Sequence, residues 1–221
     1  MTPFIARFDP ILRRLALAAL ILGGAGEVRA GEGEDDCRPF IAPAERYYAL
    51  PSGLLGAMAM VESGYRGMPH PWALNLAGQA VMAPDFASAA RLLRAPDGRI
   101  RRDVAIGCLQ IHMGWHLAPF GAPEWALLPR YNVWYAALFL HRLGEQYGSW
   151  RAAVAHYHAS DPDAERRYLC RVSAQLQRAA PATRIAVGLP LCGLAALAPR
   201  PDDAIMAARR RAGLQLQGGG S

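Results

Sequence analysis

A single glutamate closes the most apolar segment of the chain. Residues 54–63 read LLGAMAMVES, and Glu62 is the one carboxylate among them. A helix that is apolar on every side is buried, and Gly64 directly after it is a helix stop signal. Burial among apolar side chains favours the protonated form of a carboxyl group, which is the form that a general acid needs. Glu62 is therefore the candidate catalytic residue, and the alternative is a helix-end glutamate that reaches solvent.

The segments around this glutamate predict a mainly α domain. Helical patterns occur at residues 42–50, 54–63, 86–94, 132–147, 150–159 and 164–180. Asn132 is expected to cap the long fourth helix of this series, and Gly148 is expected to end it. Residues 70–84 and 99–106 are predicted to be loop and extended chain, and they allow a small β-hairpin.

Composition excludes several classes of protein. The chain has 221 residues, of which 52% are hydrophobic and 19% are charged, so one domain with a buried core is expected rather than a disordered chain. No apolar run reaches the length that spans a bilayer, which argues against an integral membrane protein. The net charge of +6 is modest and scattered, and it gives no argument for a nucleic-acid partner.

The first 30 residues are predicted to be a secretory signal peptide. Arg13 and Arg14 precede the apolar run of residues 15–22, and Val28-Arg29-Ala30 offers a cleavage site with small flanking residues. The expected location is the periplasm. The mature chain then divides into a domain of residues 31–180 and a C-terminal extension of residues 181–221, which is expected to be partly disordered and to end in a basic tail.

If the chain is exported, its cysteines are expected to form disulfides. An even number of cysteines in an oxidising compartment indicates one or two disulfides, and four cysteines allow three full pairings. The sequence does not choose among these pairings. The spacings match no zinc knuckle or ribbon, which argues against a metal cluster. The four residues are Cys37, Cys108, Cys170 and Cys192.

Four segments, taken in order, resemble the motifs of the soluble lytic transglycosylase family, the lysozyme-like enzymes that cleave peptidoglycan. Each segment alone is a weak signal, whereas four in order with suitable spacing are a strong one. The resemblance covers residues 40–178 and implies a lysozyme-like transglycosylase domain. The segments are residues 51–64 with Glu62-Ser63, Gly107-Cys108-Leu109-Gln110, Asn132-Val133, and residues 150–158 with Ala155-His156-Tyr157.

The resemblance implies a specific reaction. Glu62 would protonate the glycosidic oxygen between N-acetylmuramic acid (MurNAc) and N-acetylglucosamine (GlcNAc). The muramic C6 hydroxyl would then attack the anomeric carbon while Glu62 takes its proton, which leaves a 1,6-anhydromuramoyl end. One carboxylate suffices because the N-acetyl group of the substrate can stabilise the cationic centre, a substrate-assisted exception to the two-carboxylate scheme. Glu45, the nearest upstream acid, is expected on a helix surface, and no cofactor is expected.

The resemblance also implies supporting roles in substrate binding. Gln110 would hydrogen-bond sugar or N-acetyl groups, and Tyr157 would orient the Glu62 carboxyl or contact the substrate. Ser63 would anchor or bind beside the acid. The chain departs from the family at residues 157–160, which read YHAS where Tyr-Asn-Ala-Gly is usual, so the contacts at this part of the cleft differ from the family pattern.

A further segment resembles an element of one subgroup of this family. Residues 70–75 read HPWALN, similar to a Pro-Trp-x-Leu-Asn element. In that element Trp72 would stack on a sugar ring and Asn75 would supply hydrogen bonds. A role for Trp72 in the core is an equal alternative.

Several alternatives stay open. Attack by water in the same fold would make the protein a muramidase, and a non-catalytic member would be a wall-binding assembly factor, although the retained Glu62 argues against that. His112 and His116 are spaced for one helix face, with His156 and His158 downstream, but the zinc motif His-Glu-x-x-His is absent. Compact family members often serve secretion, conjugation, pilus or flagellar machines, so the expected partners are peptidoglycan glycan strands and such a complex.

Overall fold

The computed structural model describes residues 35–158 and 161–193, and the predicted signal peptide and basic tail lie outside them. The prediction of a mainly α protein is confirmed. The helices are α1 (Arg38–Tyr47), α2 (Leu54–Ser63), α3 (Phe86–Leu92), α4 (Met113–Phe120), α5 (Pro129–Tyr147), α6 (Trp150–His158), α7 (Pro162–Ala179) and α8 (Pro181–Ala186), with a 3-10 helix at Pro123–Leu127.

Within the described residues, six short strands form two antiparallel sheets, which is more β structure than one hairpin. The strands are β1 (Gly64–Tyr65), β2 (Met68–Pro69), β3 (Ala73–Leu76), β4 (Gln79–Met82), β5 (Val104–Ile106) and β6 (Ile111–His112). β1 pairs with β2, and the larger sheet has the order β4-β3-β5-β6. Leu74 lies opposite Ile106, and both are buried, so this sheet packs one face on the core.

Helix α2 lies at the centre of the helical part and has the predicted bounds. It packs against α1, α7 and the small β1–β2 hairpin. Leu54, Leu55 and Met58 are fully buried, as expected for a helix without a polar face. The chain turns away at Gly64, where a side-chain carbon would collide with the backbone of Met60. This close approach explains why glycine occupies the position directly after Glu62 and Ser63.

Glu45 does not lie on a helix surface, contrary to the prediction. It is 4% exposed, and its carboxylate accepts hydrogen bonds from the backbone N–H groups of Gly53 (2.8 Å), Leu55 (2.8 Å) and Gly56 (3.3 Å). These donors belong to the start of α2, where backbone N–H groups have no partner within the helix. A carboxylate at that end also interacts favourably with the helix dipole. Glu45 is therefore the cap of the helix that carries Glu62.

Asn132 does not cap the long helix either. Helix α5 begins at Pro129, because proline suits the first turn of a helix and lacks an N–H that would need a partner there. Asn132 lies one turn further and is 1% exposed. Its side chain bonds to backbone outside the helix, as described below for the site.

Two disulfides join the cysteines. Cys37 pairs with Cys108, and Cys170 pairs with Cys192. The second bridge holds residues beyond position 180, the predicted end of the domain, and Val187 and Leu189 there are buried in the core. Ordered chain therefore continues from α7 through α8 to Cys192. Among the described residues, every helix falls short of the length and apolarity needed to cross a membrane.

Candidate active site

An open groove of about 790 Å³ lies where the larger sheet meets α2, α4 and α6. Val61, Ile111 and Phe139 supply apolar parts of its lining. The remaining lining is rich in groups that can hydrogen-bond or carry charge. These polar residues are Glu62, Asn75, Asp103, Gln110, His112, His116, His156, Tyr157, His158 and Arg171.

Glu62 enters this groove from the last turn of α2, with a side chain that is 9% exposed. The ring atom Nδ1 of His158 lies 3.8 Å from its carboxylate oxygen Oε1, which is too long for a direct hydrogen bond. The carboxylate is thus nearly buried yet keeps open hydrogen-bonding capacity at the groove. A carboxyl group in this setting can give and take a proton at a bound ligand.

Tyr168 lies behind His158 and beside Glu62. The two rings stack with centroids 4.4 Å apart and an interplanar angle of 3°. Burial raises the pKa of Tyr168 well above its ordinary value of 10.0, and the nearby Glu62 carboxylate raises it further. The buried Tyr168 hydroxyl makes no hydrogen bond of acceptable geometry within the described residues. It is a neutral donor held next to the candidate acid.

Tyr157 is a second buried tyrosine near the same carboxylate. Its hydroxyl donates a hydrogen bond of 2.8 Å to the carbonyl oxygen of Leu109. Burial raises the pKa of Tyr157 well above its ordinary value of 10.0, and the charges of Glu62 and Tyr135 act in the same direction. Tyr157 is therefore neutral at physiological pH, and it fixes the turn before Gln110 relative to α6.

Gln110 is held in the groove by a strained turn. Its backbone lies in the left-handed region with φ +47°, which non-glycine residues rarely adopt. The side-chain Nε2 donates to the carbonyl oxygens of Gly107 (2.8 Å) and Ala73 (3.1 Å). This pairing orients the amide and leaves its Oε1, an acceptor, without a donor among the described residues. The arrangement suits a ligand N–H or O–H group.

The side chain of Asn132 stabilises the turn that ends in Gln110. The Asn132 side chain accepts from the N–H of Leu109 (2.9 Å) and donates to the carbonyl oxygens of Ile106 (2.8 Å) and Ala126 (2.8 Å). Gly107 passes so close to this amide that any side-chain carbon there would collide with it. Gly107 also has φ +77°, so both geometry and space require glycine.

Ser63 lies beneath the groove rather than on its lining. It is 1% exposed, and its hydroxyl donates to the carbonyl oxygen of Cys108 (2.7 Å) and accepts from the N–H of His70 (3.2 Å). Ser63 therefore anchors the end of α2 to the turn of Gln110. Of the two roles predicted for it, the geometry fits the anchor.

The two residues of the 70–75 segment separate in the structure. Asn75 lies on β3 at the groove, where its Oδ1 accepts from the N–H of Gly78 (2.6 Å). Trp72 is partly buried, packs against the core, and is absent from the groove lining. The structure thus brings Glu62, Asn75, Gln110 and Tyr157 to one groove and leaves Ser63 and Trp72 outside it.

Most of the groove lining was not among the predicted site residues, and four of these unpredicted residues can make specific contacts with a ligand. Asp103 directly precedes β5, Trp115 projects from α4, and Arg171 belongs to α7, where its guanidinium lies 5.8 Å from the ring centroid of Tyr168. His158 ends α6. Whether these residues reach the groove depends on how the sheet and helices pack together, so the local sequence pattern does not predict it. The exception is His158, which departs from the family motif next to Tyr157.

The groove histidines are engaged in contacts within the chain. His112 accepts the N–H of Gly114 (3.1 Å) at the start of α4, and His116 Nδ1 lies 2.9 Å from the hydroxyl of Tyr135. His156 lies 3.1 Å from a carboxylate oxygen of Glu165. Within the part of the chain that the structure describes, no three His, Cys, Asp or Glu side chains are placed to hold a metal ion.

Comparison with known proteins gives no relative. No protein-family model, no curated protein and no solved structure matches this chain.

Proposed function

We propose that this protein is a peptidoglycan lytic transglycosylase with a lysozyme-like domain. The observation that carries the proposal is the Glu62 carboxyl group: its side chain is 9% exposed, it borders an open groove of about 790 Å³, and Gln110 and Tyr157 share that groove. A shielded carboxyl group with access to a long groove suits proton transfer to a polymeric substrate. The resemblance of the four motifs supplies the substrate class.

The proposed reaction uses Glu62 twice. As an acid it protonates the glycosidic oxygen between MurNAc and GlcNAc, and as a carboxylate it takes the proton of the muramic C6 hydroxyl. That hydroxyl attacks the anomeric carbon and forms the 1,6-anhydro ring, so no water is consumed. The Oε1 atom of Gln110 accepts from a sugar N–H or O–H group, and Asn75 adds a polar contact on the sheet side.

A second candidate, hydrolysis by a muramidase, is favoured by one observation. Asp103, directly before β5, is a second carboxylate on the groove lining. In the two-carboxylate scheme of glycoside hydrolysis, such a group activates water or stabilises the cationic centre. The two candidates give different products, because hydrolysis leaves a reducing muramic end.

The cysteines support export to the periplasm. Two disulfides are typical of proteins that fold in an oxidising compartment. An exported wall-cleaving enzyme of this size suits local opening of the wall by a secretion, conjugation, pilus or flagellar complex. A wall-binding assembly factor without activity is the remaining alternative, and it would not need a shielded carboxyl group in the groove.

Product analysis of digested peptidoglycan tests the proposal. Purified sacculi are incubated with the wild type, with Glu62→Gln, and with Glu145→Gln as the matched control, because Glu145 is 69% exposed on α5 and is absent from the groove lining. We expect 1,6-anhydromuropeptides from the wild type and the control, and no soluble product from Glu62→Gln. Reducing muramic ends would favour the muramidase, and unchanged lysis by Glu62→Gln would falsify the role of Glu62.

A further inference from the structure

We propose that Trp115 is a sugar-stacking residue that binds the apolar face of an N-acetylhexosamine ring in the groove. This inference rests on the proposed function for its choice of ligand. It goes beyond that function because none of the proposed roles of Glu62, Asn75, Gln110 and Tyr157 involves an aromatic platform.

The exposure of Trp115 is the first observation. The residue is 83% exposed and belongs to the groove lining. Tryptophan is highly buried on average, because its large apolar surface is costly to hydrate. A tryptophan left almost fully in solvent at the edge of a groove is available to cover a ligand.

The other four tryptophans of the chain do not share this setting. Trp72, Trp134 and Trp150 are partly buried and pack against the core. Trp125 is 48% exposed, but its ring meets that of Tyr131 at 5.2 Å. No ring contact of Trp115 with another aromatic side chain occurs among the described residues. The difference separates Trp115 from tryptophans that serve the fold.

The backbone under Trp115 is fixed on both sides. Before it, Gly114 donates to the ring of His112, and a side-chain carbon on Gly114 would lie 2.9 Å from the carbonyl oxygen of Arg102. After it, the ring of His116 packs against that of Phe139 with centroids 4.6 Å apart. Because the backbone at this position is fixed, a ligand has to order only the Trp115 ring itself, which limits the entropic cost of binding.

A hexosamine suits this platform better than a peptide or a lipid. One face of a pyranose ring carries only C–H groups, while its rim carries hydroxyl and amide groups. The groove offers the matching pair of surfaces, with the Trp115 ring for the C–H face and the side chains of Asn75 and Gln110 for the rim. The apolar surface removed from water supplies the affinity, and the polar groups fix the orientation.

The test uses binding without cleavage. Tetra-N-acetylchitotetraose is titrated into the Glu62→Gln protein by calorimetry. The titration is repeated with two double variants, in which Glu62→Gln is combined with Trp115→Ala or with Trp115→Phe. Trp125→Ala in the same background is the matched control, because Trp125 is an exposed tryptophan outside the groove lining. We expect Trp115→Ala to raise the Kd by about tenfold, with Trp115→Phe recovering most of the affinity.

The outcomes separate this inference from the proposed function. A tenfold loss for Trp115→Ala, with Trp125→Ala unchanged, supports the platform even if the wild type releases no product from sacculi. Equal affinities for Trp115→Ala and its parent, or no binding by the parent at millimolar oligosaccharide, would overturn the platform even if sacculi are cleaved. Circular dichroism of each variant shows that the fold is retained.

Discussion

Helix α2 has a glutamate at each end, and the two are used differently. Glu45, supplied by α1, is 4% exposed and accepts three backbone hydrogen bonds from the first turn of α2. Glu62, in the last turn, has a side chain that is 9% exposed and is approached by His158 at 3.8 Å. Burial alone therefore does not distinguish the structural carboxylate from the candidate catalytic one.

The partners of the two carboxylates make the distinction. The oxygens of Glu45 are engaged by backbone donors that cannot move away, so this group is committed to the fold. Glu62 faces a groove and neutral tyrosines, so its oxygens stay available to a ligand. The same residue type thus serves stability at one end of the helix and, in the proposed function, proton transfer at the other.

Exchanging each glutamate for glutamine gives the largest expected difference between the two ends of α2, and the quantity that differs is the rate of sacculus lysis. We expect Glu62→Gln to lower the rate of sacculus lysis by about 10²–10⁴-fold, because it removes the proton donor and acceptor. Glu45→Gln keeps an acceptor oxygen for α2 and should keep most of the activity. Turbidity loss of a sacculus suspension measures both rates, and similar losses for the two variants would contradict the assignment.

Truncation of each glutamate to alanine should affect stability in the opposite order, with the larger loss at Glu45 and the smaller loss at Glu62. Glu45→Ala leaves three backbone N–H groups at a buried helix start without their acceptor, and we expect a loss of about 2–4 kcal/mol in the free energy of unfolding. Glu62→Ala should change that free energy by about 1 kcal/mol or less, because it removes the contact with the Tyr168 hydroxyl but leaves no backbone N–H group without an acceptor. Urea denaturation followed by circular dichroism compares them.

The two buried tyrosines near Glu62 sharpen the comparison further. Tyr157→Phe removes the hydrogen bond to Leu109 and should cost about 1 kcal/mol of stability. Tyr168→Phe removes a buried hydroxyl that lies near Glu62 without the geometry of a good hydrogen bond, so the loss of stability should be smaller than for Tyr157→Phe. Thermal unfolding of the two variants checks this, and an equal loss in both would show that Tyr168 is hydrogen-bonded in solution.

The smallest expected effect concerns the groove wall behind Glu62. Burial lowers the pKa of His116 below its ordinary value of 6.5, and His112 lowers it further. The unfolded chain therefore binds a proton more readily, so stability is lost as pH falls below 6.5 toward the folded pKa. Solvent screens this half-buried ring, and we expect less than about 1 kcal/mol. Urea midpoints at pH 8 and 5.5 should differ less for His116→Gln than for the wild type.

Local apolarity explains what the sequence could predict. The uninterrupted apolar run of residues 54–63 requires a buried helix, and Gly64 after it requires a stop, so the position of Glu62 follows from neighbouring residues. Glu45 was misplaced because its donors lie 8 to 11 positions further along the chain. Such a pairing leaves no periodic signal.

The rest of the site depends on tertiary structure. Trp72 and Trp115 have similar local surroundings of His, Pro, Gly and apolar residues, yet one packs on the core and the other borders the groove. The sheet register that brings Asp103 to the groove follows from pairing between β3 and β5, which are far apart in sequence. The disulfide pairing likewise depends on which cysteines the fold brings together.

The bridge between Cys37 and Cys108 joins the start of α1 to the turn that carries Gln110. It spans 71 positions, and closing a loop of this size removes about 4 kcal/mol of conformational freedom from the unfolded chain. While the thiols are reduced, that turn has no covalent link to α1. We therefore expect a newly synthesised, reduced copy to hold the Gln110 turn less firmly, and to reach the groove geometry described above only after this bridge is oxidised.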